Sequence, residues 1–214
     1  SVSYSFVITN TGNAAEAFAY STASASDWGL GGGAGTTASL EMGASETVTV
    51  VHTVSEDASS GGSDTITFTS GSQSATATTT AEQTYDVSIS FGTSNQGSAV
   101  NPGDSFTISY SVTNTGNGAD SFSVFFDASW MSASSGTTLS LAAGASGPAT
   151  ATITVPDGAP SGSSSTIAAY VTGGGGSSDN AGVAYTMTVA DNTRSATVST
   201  DSASYNHNAG ESAS

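Results

Sequence analysis

A twelve-residue pattern occurs twice in the chain and constrains the fold more than any other feature. The later copy, residues 106–117, reads FTISYSVTNTGN, and the earlier copy, residues 2–13, reads VSYSFVITNTGN. In both copies apolar and polar residues alternate, which is typical of a β-strand with one buried face. Each copy ends in Asn-Thr-Gly-Asn, where Asn and Gly tolerate the positive φ angles of a chain reversal. We therefore expect a chain made of two copies of one β unit.

The charge composition excludes two classes of partner. The 214 residues include 17 acidic and only 1 basic residue, for a formal net charge of −16. Nucleic-acid binding and attraction to anionic lipid both require clustered Lys and Arg, so we expect neither. No segment is apolar for the length of a membrane-spanning helix, which predicts no direct membrane insertion in this segment. The dispersed acidic residues are interpreted as solubilising surface charge: Glu16, Asp27, Glu41, Asp64, Asp120 and Asp157.

Short strands separated by turn sequences are predicted throughout the second copy, with no helical period between them. The predicted strands are 85–91, 106–113, 120–127, 138–141, 149–155, 166–172 and 183–189, with Tyr85, Phe122, Val124 and Phe126 among the inward residues. The glycine runs Gly31–Gly33 and Gly173–Gly176 are interpreted as hairpin or loop tips. This pattern predicts an all-β protein of two tandem seven-stranded immunoglobulin-like β-sandwiches, antiparallel and without significant helix.

Landmarks of the second unit recur in the first at offsets of 101 to 104 residues. The Asn-Thr-Gly-Asn sequence, a single Trp (Trp28 and Trp130) and a turn glycine (Gly43 and Gly144) all recur in the same order. An offset near 100 residues matches the usual size of one such sandwich. We predict that residues 1–83 form a sandwich lacking its own first strand and that residues 84–192 form a second one. Residues 193–214 then supply an extra first strand, either for a following repeat or for donation to another chain.

The order of these landmarks resembles the NEW3 and CARDB-like families of immunoglobulin-like modules. The resemblance rests on Asn114-Thr115-Gly116-Asn117, Trp130, Leu141-Ala142-Ala143-Gly144, the alternation of 150–155, and Pro156 to Gly162. In the first unit Ser55 and Ser59 replace the two prolines, Pro156 and Pro160. The resemblance implies a β-sandwich repeat of bacterial or archaeal surface proteins and some secreted glycosidases, hence an extracellular or cell-surface location. It brings no catalytic residue with it.

Few residues are candidates for chemistry. His52 alternates with Val48 and Val50 and aligns with Ile153 of the second unit, so we interpret it as a half-buried, hydrogen-bonded structural residue on the core side. His207 lies in a polar tail without an apparent partner. No nucleophile motif, metalloprotease motif or cooperating carboxylate pair is present, and we expect no enzymatic activity.

Two kinds of binding site are weighed against structural roles. Asp157, Asp179 and Asp191 are weak calcium candidates, but they lack the ligand spacing of a calcium loop, and turn or capping roles are favoured, so no cofactor is predicted. Trp28 and Trp130 are candidate platforms for sugar rings. Because they recur at the same point of both units, packing against the sandwich is the favoured interpretation.

The predicted function is structural. Duplicated units without site chemistry indicate a subunit or repeat segment of an extracellular filament, stalk or surface layer, whose main partner is another copy of itself. The alternative is a non-catalytic carbohydrate-binding or accessory module of a secreted enzyme or adhesin, with surface glycans as partners and the two tryptophans as its binding residues.

The two ends of the sequence suggest how copies could join. Residues 2–6 already correspond to the second strand of a unit, whereas residues 194–199 align with the first strand, 87–91. One hypothesis is strand donation, in which the 194–204 region of one subunit fills the vacant place in the next, so that subunits join head-to-tail. The predicted contact residues are Arg194, Ala196 and Val198 on one side and Tyr4, Phe6 and Ile8 on the other. The other hypothesis is that the sequence is a window of a longer chain, whose preceding part supplies that strand.

Overall fold

The protein is nearly all β. The computed structural model describes residues 1–94, 97–131, 136–181, 184–191 and 196–199, and within these residues the only helical segment is a 3-10 turn at Gly174–Gly176. No helix in this part of the chain has the length and apolar character needed to cross a membrane. The strands are β1 Val2–Thr9, β2 Ala19–Ser24, β3 Gly29–Gly31, β4 Ala34–Thr36, β5 Ser45–Thr53, β6 Ser63–Ser70, β7 Gln73–Thr80, β8 Val87–Ser94, β9 Ala99–Val100, β10 Ser105–Asn114, β11 Asp120–Asp127, β12 Thr137–Leu141, β13 Ser146–Thr154, β14 Ser164–Thr172, β15 Ser178–Asn180 and β16 Tyr185–Val189.

The first unit consists of two antiparallel sheets with a small core between them. The strand orders are β1-β5-β3 and β4-β2-β6-β7. Inward residues of both sheets meet, and the rings of Phe6 in β1 and Phe68 in β6 stack with centroids 4.6 Å apart. The buried apolar cluster consists of Phe6, Ile8, Leu40, Val48, Val50, Ile66 and Phe68.

The second unit has a larger core and more strands. Its sheets have the orders β13-β10-β8 and β12-β11-β14-β16-β9, and β15 pairs with β14. The predicted inward residues Phe122, Val124 and Phe126 are buried, as are Ile108 of β10 and Ile153 of β13. This cluster also contains Val87 and Ile89 of β8, which cover one side of the core. The all-β sandwich class predicted from the alternation is confirmed, whereas the division at residues 83–84 stays a prediction.

Several details differ from the prediction. Tyr85 is 44% exposed, because β8 begins only at Val87 and the inward phase starts there. The two short strands β9 and β15 were not predicted, and β9 pairs with β16 in parallel. Gly32 is not a hairpin tip, because β3 pairs with β5 of one sheet and β4 pairs with β2 of the other. It forms a corner at φ +86°, where a Cβ atom would lie 2.9 Å from the carbonyl oxygen of Thr49.

Candidate strand-docking site

One edge of β1 is open in the first unit. β1 pairs with β5 along its whole length, and its other edge pairs with no strand in the described part of the chain. The equivalent strand of the second unit, β10, lies between β13 and β8. An open strand edge presents unpaired backbone N–H and C=O groups, which form a template for another strand.

In the second unit, β8 shows what such a strand does. It pairs antiparallel with β10, with Ile89 opposite Val112 and Phe91 opposite Tyr110. The backbone N–H of Ile89 also donates to Asp179 Oδ2 of β15, at 2.9 Å, in the facing sheet. β8 therefore joins the two sheets along one side and closes the core there.

In the first unit a groove occupies the corresponding side. It has a volume of about 610 Å³ and lies between the open edge of β1 and the start of β7. The residues that line it are Val7, Ile8, Thr9, Asn10, Thr11, Gly12, Glu16, Phe18, Phe68, Ser70, Gln73, Ser74 and Ala75. Phe6 and Ile8 each keep 8% exposure, whereas Tyr110 and Val112, their counterparts in β10, are fully buried. The first core is thus less completely covered than the second.

The predicted subunit-contact residues fall into two groups. Tyr4, Phe6 and Ile8 lie on β1, where Phe6 and Ile8 pack into the core and Tyr4 is half-buried. On the other side, Ala196 is exposed and Val198 is 97% exposed, in a segment without strand pairing. Arg194 lies outside the described residues. One group thus lies on a strand beside a groove and the other is accessible, and their contact stays a prediction.

A buried polar network fills the other end of the first core. His52 is fully buried, with Nε2 2.9 Å from Asp64 Oδ2 and Nδ1 2.7 Å from Thr79 Oγ1. An ionised carboxylate can only accept hydrogen bonds, so Nε2 carries a proton in this contact. Thr79 Oγ1 is also 2.9 Å from the hydroxyl of Tyr4, which donates to the carbonyl of Thr78. The predicted hydrogen bonding of His52 is confirmed, since both ring nitrogens have partners, but the residue is fully buried rather than half-buried, because its partners Asp64 and Thr79 also lie inside the core.

Asp64 was assigned to the surface from sequence, and that assignment is wrong. The residue is 1% exposed, and its carboxylate accepts hydrogen bonds from the hydroxyl of Ser24 and from the backbone N–H of Ser26. Burial alone would raise the pKa of Asp64, but these hydrogen bonds and the one from His52 lower it from 3.8 to about 2. The signal was present in the sequence, because Asp64 is in phase with the inward residues Ile66 and Phe68 of β6.

The two tryptophans pack against the protein. Trp28 is 9% exposed, and its ring stacks on that of His52 with centroids 5.6 Å apart. Trp130 is half-buried against the second core. A sugar-binding platform requires an exposed indole face. Trp28 therefore does not offer one in this structure.

The three calcium candidates lie apart from one another, and two of them accept hydrogen bonds. Asp179 accepts from the backbone N–H groups of Ile89 and Asn180, and Asp191 accepts from the hydroxyl of Ser161. Asp157 is exposed in a turn. Within the described ranges, no three His, Asp or Glu side chains come together in a way that could hold a metal ion.

Comparison with known proteins supports the fold class. Residues 90–191 match the family model of the VWA7 Ig-like domain, so this part of the chain is similar to an immunoglobulin-like domain. No curated protein matches the sequence.

Two solved structures share weak similarity with the chain. A red sea bream transglutaminase is 10% identical with a TM-score of 0.31 over 89% of this chain, which spans 29% of that enzyme's length. The YadV chaperone is 12% identical with a TM-score of 0.24, over 84% of this chain and 90% of that one. At TM-scores this low, neither similarity supports a shared function.

Proposed function

We propose that the protein is a structural subunit of an extracellular filament, stalk or surface layer, joined head-to-tail by strand complementation. In this assembly the 194–204 region of one copy docks along the open edge of β1 in the next. The observation that carries the proposal is the contrast between the two units: β8 covers β10, whereas a groove lies beside β1. The subunit needs neither a cofactor nor catalytic residues for this role.

The register of β8 specifies how the donated strand lies. Residues 194–198 align with 87–91, so Ala196 takes the place of Ile89 and Val198 the place of Phe91. Transferring the pairing of β8 with β10 to β1 sets Ala196 opposite Ile8 and Val198 opposite Phe6. Both donated side chains then face the incompletely covered core. Backbone hydrogen bonds supply affinity in such strand addition, and alternate side chains supply register.

The contact is of the kind that builds a polymer. The donor segment and the receptor edge are different surfaces of one molecule, so the contact is heterologous and does not close on itself unless the rotation happens to complete a ring. The resemblance to NEW3 and CARDB-like repeats, which implies a surface location, supports an extracellular setting. A low charge density and a surface rich in Ser and Thr fit a structural role in that setting.

The test compares two neighbouring substitutions in the complete chain. Val198→Asp puts a carboxylate in the groove, and burying an unpaired charge there costs several kcal/mol, enough to raise the critical concentration for assembly at least about a hundredfold. Thr197→Asp carries the same charge on the outward face of the donated strand and is the matched control. Sedimentation velocity and electron microscopy measure assembly for both variants and for the parent chain.

A second variant removes the donor completely. Deletion of residues 194–214 should abolish polymers and leave a folded monomer. Polymers of unchanged length after this deletion, or equal assembly of Val198→Asp and Thr197→Asp, would show that strand donation does not join the subunits.

A further inference from the structure

The joint between the two units is held by side-chain hydrogen bonds from Gln83, whose Nε2 donates to the carbonyl oxygen of Ala119 at 3.1 Å, and above all from Asn117. Its Nδ2 donates to the carbonyl oxygens of Ala58, at 3.1 Å, and Glu82, at 3.0 Å. Its Oδ1 accepts from the backbone N–H of Thr84 at 2.8 Å. The amide of Asn117 thus connects a turn of the first unit, the connecting segment and the second unit. Each of these contacts joins a side chain to backbone, so the joint depends little on the side chains of its neighbours.

Backbone contacts bring the two units close around this residue. The N–H of Ser60 donates to the carbonyl oxygen of Asn117 at 2.9 Å. At Gly116 a Cβ atom would lie only 2.4 Å from the carbonyl oxygen of Thr84, so the joint accepts no side chain at this position. Gly116 and Asn117 therefore form contacts between the two units in addition to the turn that the sequence predicts.

The first unit contains the same loop, with the same internal hydrogen bonds. In each unit the first Asn of Asn-Thr-Gly-Asn is buried, its amide nitrogen donates to two carbonyl groups, and its oxygen accepts from the N–H two residues later. These partners are Ala14, Leu40 and Gly12 for Asn10, and Gly118, Leu141 and Gly116 for Asn114, all at 2.7–3.0 Å. The loop that presents Asn13 is therefore already shaped like the loop that presents Asn117.

The exposure of the two loops differs where the joint is made. Gly116 is buried and Asn117 is half-buried, whereas Gly12 and Asn13, at the same positions of the first loop, are exposed. The loop at Asn13 therefore has the shape of the loop in the internal joint but lacks its cover.

The second unit contains a turn equivalent to the one that contacts Asn117. The turn at 156–162 repeats the turn at 55–61, which contacts Asn117 in the internal joint. In the first unit the N–H of Ala58 donates to Ser55 O and the N–H of Gly61 to Ala81 O. In the second unit the N–H of Ala159 donates to Pro156 O and the N–H of Gly162 to Val189 O. Gly61 and Gly162 both have φ +77°. Ser161 is exposed, whereas its counterpart Ser60 is half-buried at the joint.

We propose that copies of this chain join through a replica of the internal joint, with Asn13 as its anchor. The partner is a second copy, and the inference rests on the head-to-tail assembly proposed above. Asn13 Nδ2 of one copy donates to the carbonyl oxygens of Ala159 and Ala190 in the preceding copy, and the N–H of Ser161 donates to the carbonyl of Asn13. Inside the chain, the segment that Asn117 holds at Thr84 continues into β8, which pairs with β10. Between copies, the segment held by Asn13 would likewise continue into the donated strand, which pairs with β1.

Disulfide trapping tests this geometry directly, because the chain has no cysteine of its own. The double variant Ala14→Cys with Ser161→Cys, which keeps Asn13, should form a ladder of covalent oligomers on mild oxidation of assembled protein. The double variant Gly118→Cys with Ser60→Cys is the matched control, because a Cβ atom at Gly118 would lie 2.9 Å from Cβ of Ser60; it should close within one chain, which leaves the mass of a monomer on a denaturing gel. Failure of the first pair to form a ladder in assembled protein, while the second pair closes, would overturn the proposed joint.

Single substitutions separate this inference from the proposed function. Asn13→Ala should shorten polymers or raise the critical concentration at least about tenfold and leave the unfolding of the monomer unchanged, whereas Met42→Ala, on the adjacent exposed turn outside the groove, should change neither. Full-length polymers from Asn13→Ala would overturn the joint and leave strand donation standing. A parent chain that stays monomeric at all concentrations would overturn both.

Discussion

At the scale of single residues, the first unit holds a buried ionised group in place of apolar packing. His52 occupies the position of Ile153 in the second unit, and Asp64 faces it from the other sheet. Removing one partner of such a pair leaves an unsatisfied buried group, which costs more than the pair contributes net. The network therefore fixes the relative position of β5, β6 and β7 at this end of the core.

The depressed pKa of Asp64 predicts an acid-sensitive first unit. The unfolded chain binds this proton near pH 4 and the folded chain only near pH 2, so the contribution of Asp64 to stability is present above about pH 4 and is lost as the pH falls to 2. A shift from 3.8 to about 2 corresponds to about 2 kcal/mol in the free energy of unfolding. Denaturant unfolding followed by Trp28 fluorescence, in a Trp130→Phe background, measures it.

The control for this titration is Asp64→Asn, which keeps the shape of the side chain and cannot ionise. Between pH 4 and pH 2 the free energy of unfolding of this variant should fall by about 2 kcal/mol less than that of the parent chain. An equal pH dependence in both proteins would show that other groups cause the acid sensitivity.

Thr79 links His52 to Tyr4 and should be the most sensitive hydroxyl in the network. Thr79→Val keeps the volume and removes the group that contacts both His52 Nδ1 and the Tyr4 hydroxyl. We expect a loss of about 1–3 kcal/mol in the free energy of unfolding, because a buried ring nitrogen loses its partner. Thr78→Val retains the backbone carbonyl that accepts from Tyr4, so it should lower the free energy of unfolding less than Thr79→Val does. A larger loss from Thr78→Val than from Thr79→Val would contradict the network.

The residue-scale features could be predicted only in part from sequence. The alternation placed His52 inside, and the same alternation places Asp64 inside, but its charge favoured a surface assignment. The compensation that makes a buried carboxylate acceptable comes from Ser24 and Ser26, about forty residues away in sequence. Such partners become visible only once β2 is known to lie beside β6.

At the scale of strands, alternation determines which substitutions the sheets tolerate. Ile153 of β13 is fully buried, and its neighbour Thr152 is exposed. Ile153→Asp should cost several kcal/mol, comparable with the whole stability of about 5–15 kcal/mol of a domain, whereas Thr152→Asp should stay within about 0.5 kcal/mol. Urea denaturation of both variants checks this, and equal losses would contradict the assigned face of β13.

Strands were predicted correctly where the apolar–polar alternation continues over several repeats, and they were missed where it is too short to detect. β11 was predicted with both of its ends, because Phe122, Val124 and Phe126 repeat the alternation three times. β9 has two residues and pairs in parallel with a strand far along the chain, so no period exists to detect it. The joint at Asn117 was not predicted, since turn chemistry already accounted for the sequence Asn-Thr-Gly-Asn.

At the scale of the whole molecule, the repeat gives the joint between the units and the exposed loop of the first unit equivalent residues. Gly116 and Gly12 are equivalent, but only Gly116 lies against a backbone carbonyl in this structure. Gly116→Ala should destabilise the monomer, because the Cβ atom meets Thr84 O. Gly12→Ala should affect folding less and should block assembly, since the same clash then arises between copies. Thermal unfolding and sedimentation velocity separate the two effects, and normal polymers from Gly12→Ala would contradict the equivalence.

The proposed assembly requires that β1 gain a partner strand from another copy. Hydrogen–deuterium exchange of its backbone amides tests this most directly, with β10, which already has strands on both edges, as the internal control. On assembly, exchange of the alternate amides of residues 2–9 that point away from β5 should slow at least about tenfold relative to the Val198→Asp variant, while exchange in β10 stays the same. Polymers in which these amides exchange as fast as in the monomeric variant would contradict the proposed assembly.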